Sequence, residues 1–230
     1  MLFKNVFGVI LAGTLVIGAR LASATSVPSS EREALVNLYL SNNGPNWKFN
    51  DNWLTTDPCW MHADLYNWYG VYCNSDGTHV VYLGLPSNFL NGTLPASLFD
   101  DLPYLTNLYL NGNALTGTIP SALWSLSLGD VSLASNSLLG SIPNRITNMT
   151  SLVYFNMESN SLTGTIPAAI DNLSNLKNGF YVQNNFLSGL VPSGICSIAK
   201  FNLDNNKFSC PLPSCCELLD PKYTSCGSCR

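Results

Sequence analysis

The sequence predicts an α/β repeat protein: a right-handed solenoid of stacked strand-and-turn units, with a parallel sheet on one face and disulfide-bonded caps at both ends. Three observations carry this. A frame of the form L-x-x-L-x-L-x-x-N-x-L-x-G-x-I-P recurs with its asparagine at Asn88, Asn113, Asn136, Asn160, Asn185 and Asn206, at intervals of 25, 23, 24, 25 and 21 residues. Within L-x-L the apolar residues alternate with polar ones, the period-2 mark of a strand with one buried face, and Asn and Gly follow as turn residues. One such unit cannot bury its leucines alone, so six units must stack, strand beside strand. The eight cysteines are an even number grouped towards the two ends of the repeat block, the pattern of disulfides formed in an oxidising compartment.

Taken in order, Met1–Ala24 carries Lys4, an apolar run from Val6 to Ile17 and the small-x-small triplet Ala22-Ser23-Ala24. That is the pattern of a secretory leader, its apolar run being shorter than the ~20 residues that cross a bilayer. Loss of Lys4 and Arg20 with the leader leaves 8 basic against 14 acidic residues, a net charge of −6. Such a chain is a poor partner for nucleic acid or anionic lipid. Residues 25–79 form the N-terminal cap. In it Glu31–Leu40 reads as a short helix with Ser29 or Ser30 as its cap, Glu31 and Glu33 in its first turn and Ala34, Leu35 and Leu38 as its apolar stripe. The aromatic loop that follows carries Trp47, Trp53, Trp60 and Trp68, which read either as cap core covering the first strand edge or as an aromatic platform for carbohydrate.

Residues 80–213 hold the six repeats and 214–230 a Cys-rich tail. The asparagine column is structural: an amide can serve backbone N–H and C=O groups of tightly turned chain where unpaired polar groups are costly. Asn91, Asn148 and Asn172 each open an N-x-S/T sequence and are glycosylation candidates in a secreted protein, the last two on the return side of the coil. Catalytic constellations are wanting. The two histidines, His62 and His79, lie in or beside the cap without a Ser/His/Asp or Cys/His set. The one paired carboxylate, Asp100-Asp101, falls in a loop. No cofactor or metal is expected, since the C-terminal cysteines have no histidine nearby and CGSC lies in a tail without a redox fold.

The strand period leaves Tyr82, Asn107, Tyr109, Asp130, Tyr154, Asn156, Glu158, Tyr181, Gln183, Asn202 and Asp204 facing outward. Tyrosine among amides and carboxylates is a composition of recognition surfaces, and equally of an ordinary solvated sheet.

The frame at Leu108, Leu110, Asn113, Leu115, Gly117, Ile119 and Pro120, returning at Phe155, Met157, Asn160, Leu162, Gly164, Ile166 and Pro167, resembles the leucine-rich repeat in its plant-type form. Ala34–Cys73, with NGPNW, NW, DPC and WYGVYC, is similar to the N-terminal cap of secreted plant-type and protist leucine-rich-repeat proteins, from which it departs by inserting HADLYN between Trp60 and Trp68. The resemblance implies a Cys59–Cys73 bridge. At the other end it favours Cys210–Cys215 and Cys196–Cys216, leaving Cys226 with Cys229. For function it implies a non-enzymatic module binding an extracellular protein or polysaccharide, in the medium or the cell wall. The alternatives are a structural component of the extracellular matrix and, as in similar polygalacturonase inhibitors, an inhibitor of a secreted polysaccharide-degrading enzyme. An ice-binding array of outward Thr would need more copies than Thr93, Thr118 and Thr165.

Overall fold

The computed structural model describes residues 26–55, 57–59, 67–218 and 224–228. Met1–Ala24, expected as a leader, and Trp60, His62 and Cys229 lie outside them. The chain opens with helix α1 (Ser29–Ser41), then strands β1 (Val71–Cys73) and β2 (Val80–Gly84). Each later coil sends one strand into the same sheet: β4 (Asn107–Tyr109), β6 (Asp130–Ser132), β7 (Tyr154–Asn156), β8 (Gly179–Tyr181) and β10 (Phe201–Asn202), with β12 (Thr224–Ser225) closing the far edge. The resulting order is β1-β2-β4-β6-β7-β8-β10-β12, parallel throughout except for the antiparallel β1–β2 pair. Two small parallel ladders hold the return limb, β3 (Asn91–Thr93) on β5 (Ala114–Thr116) and β9 (Ser188–Leu190) on β11 (Lys207–Ser209). Between β3 and β4 the short helix α2 (Ser97–Asp100) lies beside α1, with Leu98 and Phe99 buried.

Strands this short have no stability of their own; their hydrogen bonds and burial come from the coil on either side. Leu83, Leu108, Val131, Phe155, Phe180 and Phe201, one from each coil, stack at 0–1% exposure, and Leu85, Leu110, Leu133, Met157, Val182 and Leu203 form a second stack at 0%. The asparagine column explains how the chain leaves each strand. Asn160 donates its amide to the carbonyls of Met157 in its own coil and Leu133 in the coil before, at 3.1 and 3.0 Å, and its Oδ1 accepts the Leu138 N–H at 2.9 Å. Asn136, Asn185 and Asn206 repeat the pattern, and Asn88 closes it onto the cap by exchanging both bonds with the Phe49 backbone. The residue before each asparagine is left-handed, with φ from 50° to 71° at Ser87, Gly112, Ser135, Ser159, Asn184 and Asn205. That strained step is what turns the asparagine inward, and the amide bonds hold it there.

The N-terminal cap is an aromatic cluster. Trp47, Trp53 and Trp68 are 5%, 5% and 0% exposed, and Trp53 packs against Tyr39, Trp47 and Trp68 with ring centroids 5.5, 4.9 and 5.0 Å away. These three are core, so none of them offers an exposed ring face as a carbohydrate platform. Helix α1 runs beyond the expected Glu31–Leu40, and no serine side chain caps it; Pro28 precedes it. Glu31 does more than favour the first turn. Only 2% exposed, it places Oε1 2.6 Å from His79 Nδ1 and accepts the Val80 N–H through Oε2 at 2.8 Å, pinning the helix to the start of β2.

Cys59 and Cys73 are bridged, Cα atoms 5.8 Å apart, across a separation of 14 residues. Replacing both with serine is expected to cost about 3 kcal/mol, the entropy returned to an unfolded loop of that length, read as a lower urea midpoint with an unchanged slope. An unchanged midpoint would show that the aromatic cluster holds the cap without the bridge. The C-terminal connectivity differs from the expected Cys210–Cys215, Cys196–Cys216 and Cys226–Cys229. Cys196, on the turn Ser193–Ser197, is bridged to Cys215 at the start of helix α3 (Cys215–Leu218). Cys216 is bridged to Cys226, and Cys210 is disulfide-bonded as well. The reason is β12: by pairing beside β10 it carries Cys226, 6% exposed, back onto the last coil.

Candidate functional site: the exposed face of the main sheet

In-register pairing sorts the outward residues into rows. Tyr82, Asn107, Asp130, Tyr154 and Gly179 are successive partners across β2, β4, β6, β7 and β8. Gly84, Tyr109, Ser132, Asn156, Tyr181 and Asn202 form the neighbouring row. Glu158, Gln183 and Asp204 follow one buried residue past their strands. With strands about 4.8 Å apart, rings on adjacent strands meet: Tyr82–Tyr109 and Tyr154–Tyr181 have centroids 5.7 and 5.8 Å apart. Each pair is given its lie by a glycine. A Cβ at Gly84 would sit 2.5 Å from the Tyr82 ring and one at Gly179 2.4 Å from the Tyr181 ring, so both rings lie down across a strand position that has no side chain.

Between the two pairs stands Asp130. Its Oδ2 accepts the Tyr109 hydroxyl at 2.9 Å and the Asn107 amide at 3.0 Å. Burial first, then the hydrogen bond and the negative charge of Asp130, push the Tyr109 phenol up to about 12. The phenol of Tyr82 is raised by burial and by Tyr72 and Tyr69, and that of Tyr181 by burial, Tyr154 and Glu158. For Tyr109 the sign is that of an acid kept neutral in the fold: its contribution is fully present below pH 10 and is lost as pH rises from 10 towards 12. Ultraviolet titration should show Tyr82, Tyr109 and Tyr181 ionising late, Tyr109 near pH 12, and Asp130→Asn should bring Tyr109 earlier; an unchanged curve in that variant would remove Asp130 as a cause.

Not every residue assigned to this face by period is free on it. Asn156 is only 9% exposed, its amide donating to the Tyr154 hydroxyl and its carbonyl accepting the Glu158 N–H, so it props the tyrosine. Asn202 accepts the Asp204 N–H, and Asp204 accepts the Ser225 hydroxyl of β12. Gln183 donates to Glu158 Oε2, while its Oε1 is shielded from solvent and meets no donor. The side-chain oxygens of Asn156, Glu158, Asn202 and Asp204 are therefore paired with local donors, and that of Gln183 is left open. The face also holds a residue the period did not supply, Tyr72 of β1, 59% exposed and directly opposite Tyr82 with rings 5.1 Å apart at 81°. Its strand is antiparallel and outside the repeat, so nothing in the frame pointed to it.

Asn148 and Asn172 are exposed on the stacked turns Asn144–Asn148 and Ile170–Asn172 of the return limb, and Asn91 is exposed on β3. Among the described residues no helix is long and apolar enough to cross a membrane and no three His, Cys, Asp or Glu gather as a metal site.

Known proteins share both the repeat and the fold. The Leucine Rich Repeat family profile matches residues 104–126 and 151–173. A probable inactive receptor kinase of Arabidopsis thaliana is 32% identical over 103 residues, 43% of this chain and 15% of that protein. The BIR2 ectodomain of the same plant superposes with a TM-score of 0.69 at 29% identity, covering 80% of this chain and 97% of that one. The plant peptide hormone receptor RGFR1, solved in complex with RGF2, is 32% identical with a TM-score of 0.53, over 56% of this chain and 21% of that one. The chain thus spans a small part of the length of the curated relatives it matches. Fold and ladder together define a leucine-rich-repeat solenoid. Within that class the chain is similar to the ectodomains of plant receptor kinases.

Proposed function

We propose that the chain is a non-enzymatic, extracellular recognition module that takes an extended polypeptide across the exposed sheet face, and that the bound segment carries Lys or Arg. The observation that carries this is the sign of the face. Five tyrosines, Tyr72 of the cap strand and Tyr82, Tyr109, Tyr154 and Tyr181 of the repeats, share it with Asp130, Glu158 and Asp204, and none of the eight strands of the sheet contains a Lys or Arg. Aromatic rings with one sign of charge attract and orient the complementary charge, and the open Gln183 Oε1 beside Glu158 asks for a donor. The solved RGFR1 complex, in which a relative holds a peptide hormone, supports a polypeptide over the structural-component and enzyme-inhibitor readings. Placement outside the cell rests on the leader pattern of Met1–Ala24 and on the disulfides, with glycans on Asn91, Asn148 and Asn172.

The test is selection from a random peptide library on the immobilised protein, followed by calorimetry. Selected peptides should be rich in Lys and Arg and weaken with salt. Tyr109→Ala, Tyr154→Ala and Tyr181→Ala should each cost on the order of 2 kcal/mol in affinity, roughly thirtyfold, while Arg145→Ala on the return limb leaves it unchanged. Selected peptides without basic residues, or binding kept by all three tyrosine variants and lost in Arg145→Ala, would overturn the reading.

A further inference from the structure

At the N-terminal end of the sheet, where β1 folds back on β2, lies an open cleft of about 840 Å³. It is lined by Asp51, Asn67, Trp68, Tyr69, Tyr72 and Tyr82, with Gly84 in its floor. We infer that this cleft binds a neutral oligosaccharide. The inference does not depend on the peptide reading: the cleft shares Tyr72, Tyr82 and Gly84 with the end of the sheet face, but Asp51, Asn67, Trp68 and Tyr69 belong to the cap, and the peptide reading is tested at Tyr109, Tyr154 and Tyr181.

Four features select the ligand. Tyr82 lies down over Gly84 as a floor and Tyr72 stands at 81° to it as a wall, the two rings 5.1 Å apart. A floor and wall of this kind suit a rigid ring with an apolar face and a polar rim, which is the chemistry of a pyranose: its axial C–H groups pack on an aromatic face while its equatorial hydroxyls point sideways. Hydroxyls at the rim then meet the Asp51 carboxylate and the Asn67 amide, planar groups able to serve neighbouring hydroxyls. Among the described residues the lining contains no Lys or Arg and one carboxylate, which disfavours phosphates, sulfated sugars and uronates. Finally, Trp68 is 0% exposed and lines the cleft, yet its indole Nε1–H has no acceptor, whereas the buried Trp47 and Trp53 each donate to a backbone carbonyl. A buried donor that the fold leaves open is costly, and a bound hydroxyl can satisfy it. The volume falls within the roughly 300–1,000 Å³ range of small-ligand sites and is generous for one sugar, so a short oligosaccharide is the fitting occupant.

The probes are cellohexaose, xylohexaose, laminarihexaose and, as the anionic control, hexagalacturonate, each titrated into the full mature protein with binding read by calorimetry and by tryptophan fluorescence. At least one neutral hexaose should bind at micromolar to millimolar concentration, and hexagalacturonate should not. Tyr72→Ala and Tyr82→Ala should each weaken the neutral sugar by about tenfold, while Tyr72→Phe, which keeps the stacking face, should retain it. Gly84→Ala should weaken it too, since its methyl group displaces the Tyr82 ring without removing it. Tyr154→Ala should leave sugar binding as it was, which separates this site from the peptide face, and unchanged circular dichroism melting in Tyr72→Phe and Gly84→Ala guards against misfolding. No binding by any neutral hexaose, stronger binding of hexagalacturonate, sugar binding indifferent to Tyr72 and Tyr82, or a library peptide that is lost on Tyr72→Ala alone would each overturn the proposal; the last would give the cleft to a polypeptide.

Discussion

Asn160→Ala is expected to destabilise the protein by about 3 to 6 kcal/mol, a large share of the roughly 5–15 kcal/mol that holds a domain of this kind folded. Three backbone groups lose their partners together: the carbonyls of Leu133 and Met157 and the N–H of Leu138, all three bonds buried. Each buried group left unpaired costs about 1–3 kcal/mol, and a water in the space of the lost carboxamide would have to reach all three at once. Asn160→Asp should fare no better. It keeps an acceptor for Leu138 but sets a carboxylate against two carbonyls in an 8%-exposed site. Asn113→Ala, at a partly exposed rung that bonds Leu85, Leu110, Asn88 and Leu90, should cost less because solvent can reach its partners. Urea denaturation of the three variants measures the series. A loss below about 1 kcal/mol for Asn160→Ala would mean that water replaces the amide and that the column is not what closes the turns.

The asparagine column was legible in the sequence because its cause is periodic: the same backbone groups recur at each coil, so the same side chain is needed at each interval. The buried stacks and the two outward rows were legible for the same reason, a strand having only two faces. What escaped reading was aperiodic. The C-terminal bridges depend on where the tail returns, and β12 brings Cys226 to Cys216 by a pairing with β10 that no spacing encodes. Tyr72 joins the face only because β1 runs antiparallel to β2. Glu31 looked like an ordinary first-turn acid, and its burial against His79 and Val80 depends on the distance of 48 residues that the cap folds across. At Asn156 the period assigns a direction and not a free surface, its side chain being only 9% exposed.

Phe155→Ala should destabilise by about 3–5 kcal/mol, and Tyr154→Ala, one residue away on the same strand, by about 0.5 kcal/mol or less beyond its lost ring contact. Phe155 is 0% exposed at the middle of the sheet, stacked on Phe180 at 5.3 Å and 12° and near Trp124 at 6.4 Å. Removing it opens a cavity between coils that cannot close, because their spacing is set by the strand ladder on either side. Stability in a solenoid is a sum of coil terms and neighbour interfaces, so the damage should be local at first. Hydrogen exchange should quicken at Val131, Phe180 and their neighbours before it does at Val80, whose N–H is held by Glu31 at the capped end. Phe155→Leu, which keeps most of the volume, should recover more than half of the loss. Equal destabilisation by Tyr154→Ala and Phe155→Ala would mean that the two sides of β7 are not buried and exposed as placed, and the recognition face built on Tyr154 and Tyr181 would fall with that assignment.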